Sequence, residues 1–543
     1  MLDVGKKIWK RGDLFIWMTG AGLALSLIMT TALLVAIVVN AAGSFWPGEI
    51  RILNLTDGSS VLGMQVGREK IPNFGLPDEK PDRYRVQIKK AKRDIYGSDF
   101  VWVDEDTIKT MQVPEKVVVV ERREWGYFFG FIKEIRDGDK VIARGTTEGL
   151  KVVQNLLPDV EARNKQIKKI AEKEIGAINY KLERVRLKLK KLALEGVTKG
   201  ANVDALNQEI PEWQSQYNTL EKKLHELRSS QTVKIVFQTV EGREKPLALS
   251  QVLDIYNPNP FSLLDKIGHF IKRAYNFFWD DPREANTEGG VFPAIFGTVL
   301  MVLMMSLLAT PLGVLAAFYL REYARQGTMI SIVRISANNL AGVPSIVFGV
   351  FGVGFFIYFI GGSIDQMFFP EALPSPTFGT GGILWASLTM ALLTVPVVIV
   401  STEEGLAAVP KGIREASIAL GATQFETIWR VVLPAVMPSI LTGLILAMAR
   451  AAGEVAPLMI TGVVKLAPSL PIDGLWPFIH LERKFMHLGF HIYDVGFQSP
   501  NVDAARPMVF ATTLLLILMV ILLNMAAIFL RNRLRKQLTA SAV

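Results

Sequence analysis

The chain has 543 residues, of which 50% are hydrophobic and 20% are charged, and its formal net charge is +9. The mean hydropathy of +0.29 averages long uncharged runs with a charged block between about residues 43 and 288. This distribution excludes both a wholly soluble globule and a bundle made only of membrane helices. The sequence has no cysteine, which excludes disulfides, thiolate metal sites and a cysteine nucleophile.

Six stretches are apolar and long enough to cross a bilayer, which takes about 20 residues. In chain order they are Leu14–Val39, residues 288–321, residues 334–365, Ile383–Val400, residues 430–450 and Pro507–Leu530. The first is too long and too uniformly apolar for a cleaved signal, so we interpret it as a retained anchor. The sequence predicts an α-helical polytopic membrane protein with six spans.

Lysine and arginine cluster at both ends of the chain and predict its orientation. They are Lys6, Lys7, Lys10, Arg11, Arg531, Arg533, Arg535 and Lys536. Because basic residues concentrate on the cytoplasmic side, both termini are expected there, in a bacterial inner membrane. The segments near residues 321–334 and 401–430 then face the cytoplasm, whereas residues 43–288 and 463–506 face outward.

The large outward block is predicted to be an α/β domain inserted between spans one and two. Residues 116–121 and 232–239 have the composition of strands. Apolar residues spaced three or four apart predict helices over Pro158–Leu194 and Val203–Leu227, which together form a hairpin. We consider two interpretations of this hairpin: a platform for a partner protein, or two solvated helices packed on a small β domain.

Residues 261–279 have one apolar helical face opposite a charged one, which favours a helix in contact with membrane lipid. An ordinary amphipathic packing helix is the alternative. The predicted division of the chain is therefore residues 1–42 for the N-terminus and anchor, 43–260 for the insertion with its hairpin over about 158–228, 261–290 for the interfacial helix, 291–535 for the membrane core, and 536–543 for the tail.

The loop after span four carries a spaced motif. Glu415-Ala416-Ser417 is followed after three residues by Gly421, and after nine more by Val431-x-Leu433-Pro434. The pattern predicts one short amphipathic helix over Arg414–Trp429, with small residues that allow close approach by another protein. Gly421 permits a turn, and Pro434 is expected at the start of the next span.

This spacing resembles the EAA loop of ABC importer permeases, with Ser417 and Val431 as mild departures. Residues 340–346 (LAGVPSI) and 449–457 (ARAAGEVAP) further resemble the A-type permeases of phosphate-specific importers, over about residues 291–535. The resemblance implies a type I importer permease that transports inorganic phosphate. It also implies that residues 403–434 form the ATPase-coupling loop, with Glu415, Ala416, Ser417, Gly421 and Pro434 as its coupling residues.

The expected partners follow from the same resemblance: an ABC ATPase dimer, a C-type sister permease and a periplasmic phosphate-binding protein. The chain has no G-x-x-x-x-G-K-[ST] loop, so ATP is expected on the partner, and the chain itself is not expected to be an enzyme. The role of the external domain is not implied. Two other functions stay open: a permease for sulfate, molybdate or phosphonate, and a membrane-anchored sensor or scaffold.

Arg450 and Glu454 are charged residues within an apolar stretch, four positions apart, so they are expected on one helical face. Ionisable groups at membrane depth usually face a cavity or a partner, and the planar arginine fork suits oxyanions. Glu454 would hold the guanidinium between substrates. A structural salt bridge is the alternative.

Gly342-Val-Pro344 is predicted to break the third span, because proline lacks an amide donor. Ser345 or the freed backbone would then contact phosphate oxygens, with a simple packing kink as the alternative. His480, His487 and His491 fall near one helical stripe, but no fourth ligand accompanies them, so we predict packing and no metal. The positive charge is explained by membrane orientation and by the external block, so no nucleic-acid partner and no cofactor on this chain are expected.

Overall fold

The structure is a computed structural model that describes residues 13–72, 82–91, 93–499 and 501–540. Six of its helices are long and apolar enough to span a membrane, and we number them as spans one to six. Their bounds are Phe15–Phe45, Phe292–Tyr323, Ser345–Phe368, Ile383–Ala408, Gln424–Gly453 and Val502–Arg533. The predicted six-span architecture is confirmed; the basic residues Lys6, Lys7, Lys10 and Arg11 lie outside the described ranges.

Span four is the centre of the membrane bundle. In its most apolar stretch 67% of the residues are buried, against 6% in span one. Span four packs against spans two and five, and a Cβ atom added at Gly313 of span two would lie 2.7 Å from the Cβ atom of Val398. Span one packs mainly on span six, so it lies at the edge of the bundle.

The third span is broken where Pro344 predicts it. A helix over Thr328–Leu340 ends in a turn, and a new helix begins at Ser345 with Pro344 as its N-cap residue. Further along span three, Gly352 lies against Thr389 of span four. Thr389 is about 9 Å along span four from its first residue, Ile383, at a rise of 1.5 Å per residue. At the same rise per residue, Ser345 lies about 10 Å further into the bundle than Gly352. The break is therefore close to the middle of the bundle.

The external domain contains two antiparallel sheets. The first sheet has five strands, in the spatial order Phe100–Asp104, Tyr84–Lys89, Ser60–Lys70, Ile50–Leu55 and Ile108–Gln112. The second has six: Glu244–Ala248, Val233–Gln238, Tyr127–Asp137, Val118–Arg122 and Val252–Tyr256 in spatial order, with Lys140–Arg144 paired beside Tyr127–Asp137. A short ribbon pairs Pro282–Arg283 with Glu288–Gly289. Buried Val, Ile and Phe side chains of the second sheet form the core of the domain.

The hairpin is longer than its sequence pattern indicates. Its first helix begins at Thr146 rather than Pro158 and runs through Lys169–Glu174, which is π-helical, to Leu194. The second helix covers Ala201–Ser229, with Pro211 inside it. The earlier start has a tertiary cause, because Val153 and Val160 are buried against the second sheet. Packing of this kind outweighs the local cost of a proline.

The helix Leu263–Trp279 connects the external domain to the membrane bundle. Ser262 and Asp265 form a capping box at its start. Phe277 is buried, with its ring 5.3 Å from that of Phe45 at the end of span one. The predicted apolar face is exposed in the chain, with Leu264 at 80% and Ile271 at 61%. This face is therefore free to meet lipid.

Candidate coupling surface and intramembrane ion pair

The coupling loop folds as two helices rather than the single predicted helix over Arg414–Trp429. The first covers Lys411–Ala419, and a second begins at Gln424 and continues into span five. Gly421 has a φ of +92°, which ends the first helix because side-chain-bearing residues rarely adopt this angle. Thr423 and Glu426 then form a capping box that starts the second helix.

Arg414 fixes the first coupling helix to two spans. Its guanidinium donates hydrogen bonds to the Glu322 carboxylate at the end of span two (3.0 Å) and to two carbonyl oxygens at the end of span four, those of Leu406 (2.9 Å) and Val409 (3.0 Å). The side chain of Gln424 donates to the Glu322 carbonyl oxygen at 3.1 Å. The coupling loop is thus attached to the ends of the bundle's central helices.

Sequence reasoning missed Arg414 and Glu322 as positioning residues. The two lie 92 positions apart in the chain, although both belong to segments predicted to face the cytoplasm. The available signal was one arginine and one glutamate predicted to lie at the same membrane surface. Because the sequence contains several such pairs, this signal does not identify which residues contact each other.

The predicted coupling residues divide between an exposed surface and the inside of the turn. Glu415, Ala416 and Gly421 are exposed. Ser417 is half-buried, and its hydroxyl oxygen lies 2.9 Å from that of Thr427, which closes the two helices on each other. Ser417 therefore stabilises the turn between the two helices. We expected it to be one of the small residues on the open surface, and it is not.

Large apolar side chains surround the exposed small residues. They are Ile413, Ile418, Leu420, Phe425 and Trp429, and Leu420 is 90% exposed. A patch of exposed large apolar side chains is typical of a protein-binding surface. The two helices and these side chains form what we call the coupling surface.

Pro434 lies in the first turn of the α-helix Leu433–Gly453, as expected, but span five itself begins earlier, at Gln424. The helix runs without a gap from Gln424 to Gly453, and residues Ile428–Val432, just before the proline, are π-helical. The Leu433 amide donates to the Ile428 carbonyl oxygen, five residues back. This wider turn accommodates a proline that has no amide to donate.

Arg450 and Glu454 form an ion pair at the end of span five, with the Arg450 Nε and Glu454 Oε1 atoms 3.6 Å apart. The helix stops at Gly453, and Glu454 has an extended backbone, so the two do not share one helical face as predicted. A short helix over Ala456–Thr461 follows. The side chains are 32% and 22% exposed, which leaves both partly accessible.

Ser345 lies on a helix that packs against this region. A Cβ atom at Gly349 would be 2.7 Å from the Cα atom of Pro457, and Phe348 and Met448 belong to one buried cluster. Within the described part of the chain, no hydrogen bond joins Ser345 to Arg450 or Glu454. The structure therefore brings the two helices together without a hydrogen bond between Ser345 and the ion pair within the described residues.

The three outer histidines pack in different surroundings. His480 lies 3.1 Å from Asp473 and 3.3 Å from Glu482, whereas His487 accepts a hydrogen bond from the Gly489 amide at 3.1 Å. His491 is buried nearby. Across the residues that the structure describes, no group of three or more His, Cys, Asp or Glu side chains is placed to hold a metal ion.

The hairpin crosses the outer loops of the membrane bundle. The Tyr180 hydroxyl donates to the Trp476 carbonyl oxygen at 3.0 Å, and the Arg184 guanidinium lies 5.7 Å from the Trp476 ring. Lys190 donates to the Leu373 carbonyl oxygen in the loop between spans three and four. The external domain thus contacts the loops that surround the outer face of the core.

Residues 309–539 match the family of binding-protein-dependent transport system inner membrane components. The chain is 30% identical over 258 residues to the probable ABC transporter permease protein YqgI of Bacillus subtilis, covering 47% of this chain and 81% of that protein. The chain belongs to this permease family. It is therefore the membrane subunit of an ABC importer and a multi-pass membrane protein, as the EAA-type spacing indicates.

Two further relatives are phosphate transport system permease proteins. PstA of Yersinia pestis is 35% identical over 246 residues, covering 45% of this chain and 74% of that protein. PstA 1 of Mycobacterium tuberculosis H37Rv is 34% identical over 243 residues, covering 45% and 70%. The resemblance to A-type phosphate permeases is thereby confirmed.

Among solved structures, the MetNI methionine ABC transporter in an inward-facing conformation aligns with a TM-score of 0.32 and 17% identity, over 44% of this chain and 94% of that chain. A bacterial ABC transporter involved in alginate import aligns with a TM-score of 0.34 and 14% identity, over 49% and 89%.

Proposed function

We propose that this permease imports inorganic phosphate. The observation that carries the proposal is the Arg450–Glu454 pair, which lies in the family-matched segment of a chain similar to phosphate transport permeases. A guanidinium stays charged at any physiological pH and offers two parallel donors to an oxyanion. The phosphate ion crosses the membrane with all its bonds intact.

The geometry of the pair suits a site that must both bind and release. At 3.6 Å, the Arg450–Glu454 contact is longer than a charge-assisted hydrogen bond of about 2.8 Å. An incoming phosphate replaces Glu454 as the partner of Arg450, and the carboxylate returns when phosphate leaves. Ser345, at the break in span three, adds a hydroxyl donor on the neighbouring helix.

The proposed assembly places an ABC ATPase dimer on the coupling surface, which also predicts that residues 403–434 face the cytoplasm. ATP binds to that partner, and movement reaches the bundle through Arg414 and span five. A C-type sister permease completes the pathway, and a periplasmic phosphate-binding protein delivers the ion on the outer face. Residues 43–260 then form a periplasmic domain, 261–290 an interfacial segment, 291–535 the permease core, and both termini lie in the cytoplasm.

Uptake by the reconstituted complex tests this proposal. The complete importer in proteoliposomes, supplied with ATP inside, is expected to take up radiolabelled phosphate and to resist competition by sulfate, molybdate and phosphonate. Arg450→Gln is expected to reduce uptake by about 100-fold, because a hydrogen-bonded charge pair contributes about 3 kcal/mol. Transport of another oxyanion in place of phosphate would contradict the substrate assignment.

A further inference from the structure

A cavity of about 1100 Å³ lies where the external domain meets the bundle. Its walls come from the first and second sheets, the helix Leu263–Trp279, and the outer ends of spans one and six. This volume slightly exceeds the usual range for small-molecule sites in proteins, about 300–1,000 Å³. Nothing in the transport proposal uses it.

One half of the cavity is lined by charged and phenolic side chains, among them Lys89, Tyr127, Arg273 and Glu288. The Arg273 guanidinium donates to the Tyr127 hydroxyl at 2.8 Å, and the Lys89 ammonium lies 4.7 Å from the centre of the Tyr127 ring. Neither cation forms a salt bridge with a carboxylate of the described residues. Arg283 in the same wall does, with Glu121. Lys89 and Arg273 thus have charge available for a ligand.

Glu288 supplies the opposite charge. Its Oε2 atom is buried and has no hydrogen-bond partner among the described residues. Burial raises the pKa of this carboxyl and lowers the pKa of the Lys89 ammonium, and the attraction between these two opposite charges only partly offsets the effect of burial. A ligand that carries both a negative and a positive charge would give Lys89 a hydrogen-bond acceptor and the Glu288 Oε2 atom the donor that it lacks.

The other half of the cavity is apolar and continues onto the membrane helices. Val39, Phe45, Phe277, Met508 and Ala511 line it. The Ser44 hydroxyl donates to the Pro507 carbonyl oxygen at 3.1 Å, which holds spans one and six together at this level. Val39 is 63% exposed on the outer part of span one. The apolar half therefore opens toward the hydrocarbon of the outer leaflet.

We propose that this cavity binds the headgroup of a zwitterionic phospholipid with a primary ammonium, of the phosphatidylethanolamine type. Arg273 and Lys89 take the phosphodiester, Glu288 takes the ammonium, and the acyl chains leave past Val39 and Met508. An amphiphile satisfies both halves of the cavity, whereas a free phosphate ion leaves Glu288 and the apolar half unused. The proposal does not depend on which anion is transported.

Lipid retention by the purified full chain tests the site. The chain, extracted in mild detergent from vesicles of equal phosphatidylethanolamine and phosphatidylglycerol, is expected to retain phosphatidylethanolamine selectively when the retained lipid is quantified by mass spectrometry. The double change Lys89→Ala with Arg273→Gln is expected to lower retention by about tenfold or more. Lys90→Ala is the matched control, because that neighbouring ammonium lies 5.1 Å from the Tyr96 ring and does not line the cavity.

Glu288→Gln tests the headgroup assignment with a nearly isosteric side chain. We expect it to remove the preference for phosphatidylethanolamine over phosphatidylglycerol while the total lipid retained stays near the original level. The lipid preference of the unaltered chain is a second test, which no folding defect of a variant can affect. Equal retention of the two lipids there, an unchanged preference in the Glu288 variant, or displacement of the lipid by millimolar inorganic phosphate would overturn the proposal.

Discussion

Arg450 and Glu454 illustrate what single residues reveal in an apolar helix. An ionisable side chain within a hydrophobic run is costly in lipid, so its presence alone indicates a function or a partner. The sequence indicates both residues as candidates for the substrate pathway, and that role stays a prediction. Their exact relation was not predicted, because the helix ends between them at Gly453 and the carboxylate reaches back from extended backbone.

Replacing Glu454 by Gln tests its proposed role in release. Without the carboxylate, Arg450 has no competing partner, so phosphate is expected to bind about tenfold more tightly to the permease and to cross it more slowly. Equilibrium binding of radiolabelled phosphate and its uptake are measured on the same complex. Arg450→Lys is the companion variant, which keeps the positive charge but loses the planar pair of donors. Uptake by both variants at the rate of the unaltered permease would contradict the role of the pair.

Arg414 is expected to couple the loop to the bundle without touching the substrate. Arg414→Ala removes three hydrogen bonds and leaves the Glu322 carboxylate, 14% exposed, without its ion-pair partner. A hydrogen bond to a charged group contributes about 1.5–3 kcal/mol, so the first coupling helix should loosen. We expect ATP hydrolysis to continue while uptake falls by about tenfold or more.

The ratio of phosphate transported to ATP hydrolysed measures this effect. Lys411→Ala is the control, since its side chain is exposed at the start of the same helix and forms no hydrogen bond or ion pair with the described residues. A similar ratio in Arg414→Ala and Lys411→Ala would show that the Arg414 contacts do not transmit movement.

Among the secondary-structure elements, the coupling loop shows the limit of periodicity. The apolar spacing over Arg414–Trp429 fits one helix, yet the backbone turns at Gly421 and begins again at Thr423. The capping pair Thr423 and Glu426 was readable in the sequence as a helix start. The same limit applies to Pro158 and Pro211, which stay inside helices because the hairpin packs on a sheet and on itself.

Gly421→Ala is expected to distort the turn. A side chain at a φ of +92° costs about 1–2 kcal/mol, and this turn is exposed and lightly packed. Co-purification with the ATPase and phosphate uptake should both fall several-fold, while Gly421→Asn, a residue that tolerates this conformation, should have a smaller effect.

Gly412→Ala is the matched control for that change. Gly412 lies in the first coupling helix, has no atom within 4 Å of an added Cβ and has an ordinary φ. Its replacement should lower both measurements much less than Gly421→Ala does. If Gly421→Ala also keeps full ATPase association, the coupling surface has been placed incorrectly, and a sensor or scaffold becomes the better explanation.

For the whole molecule, hydropathy was sufficient for the six spans but not for how the external domain sits on them. Tyr180 and Trp476 meet although 296 positions separate them, and Gln87 donates to Asp503 across 416 positions. Such contacts join residues that have no distinguishing local pattern in the sequence. The second sheet, by contrast, was partly predictable, because residues 116–121 and 232–239 are strand-rich.

The absence of cysteine makes the orientation directly measurable. Single cysteines are introduced as Glu415→Cys in the coupling surface and Val197→Cys in the hairpin turn, where Val197 is 42% exposed. A membrane-impermeant maleimide added to right-side-out vesicles should label the second variant only, and added to inverted vesicles the first only. Labelling of position 415 from the outside would exclude an ATPase on that face.

The external domain is attached to the lipid-embedded helices at both of its ends, by span one and by the segment that leads into span two. It is also tied to the start of span six through Gln87 and Asp503. A domain held at these three places, and through its hairpin at Trp476 and Leu373, cannot swing as a pendant on one tether. Any tilt of span six during a cycle of substrate passage should therefore rotate the first sheet as well, and the distance between that sheet and the hairpin would report which side of the membrane the pathway is open to.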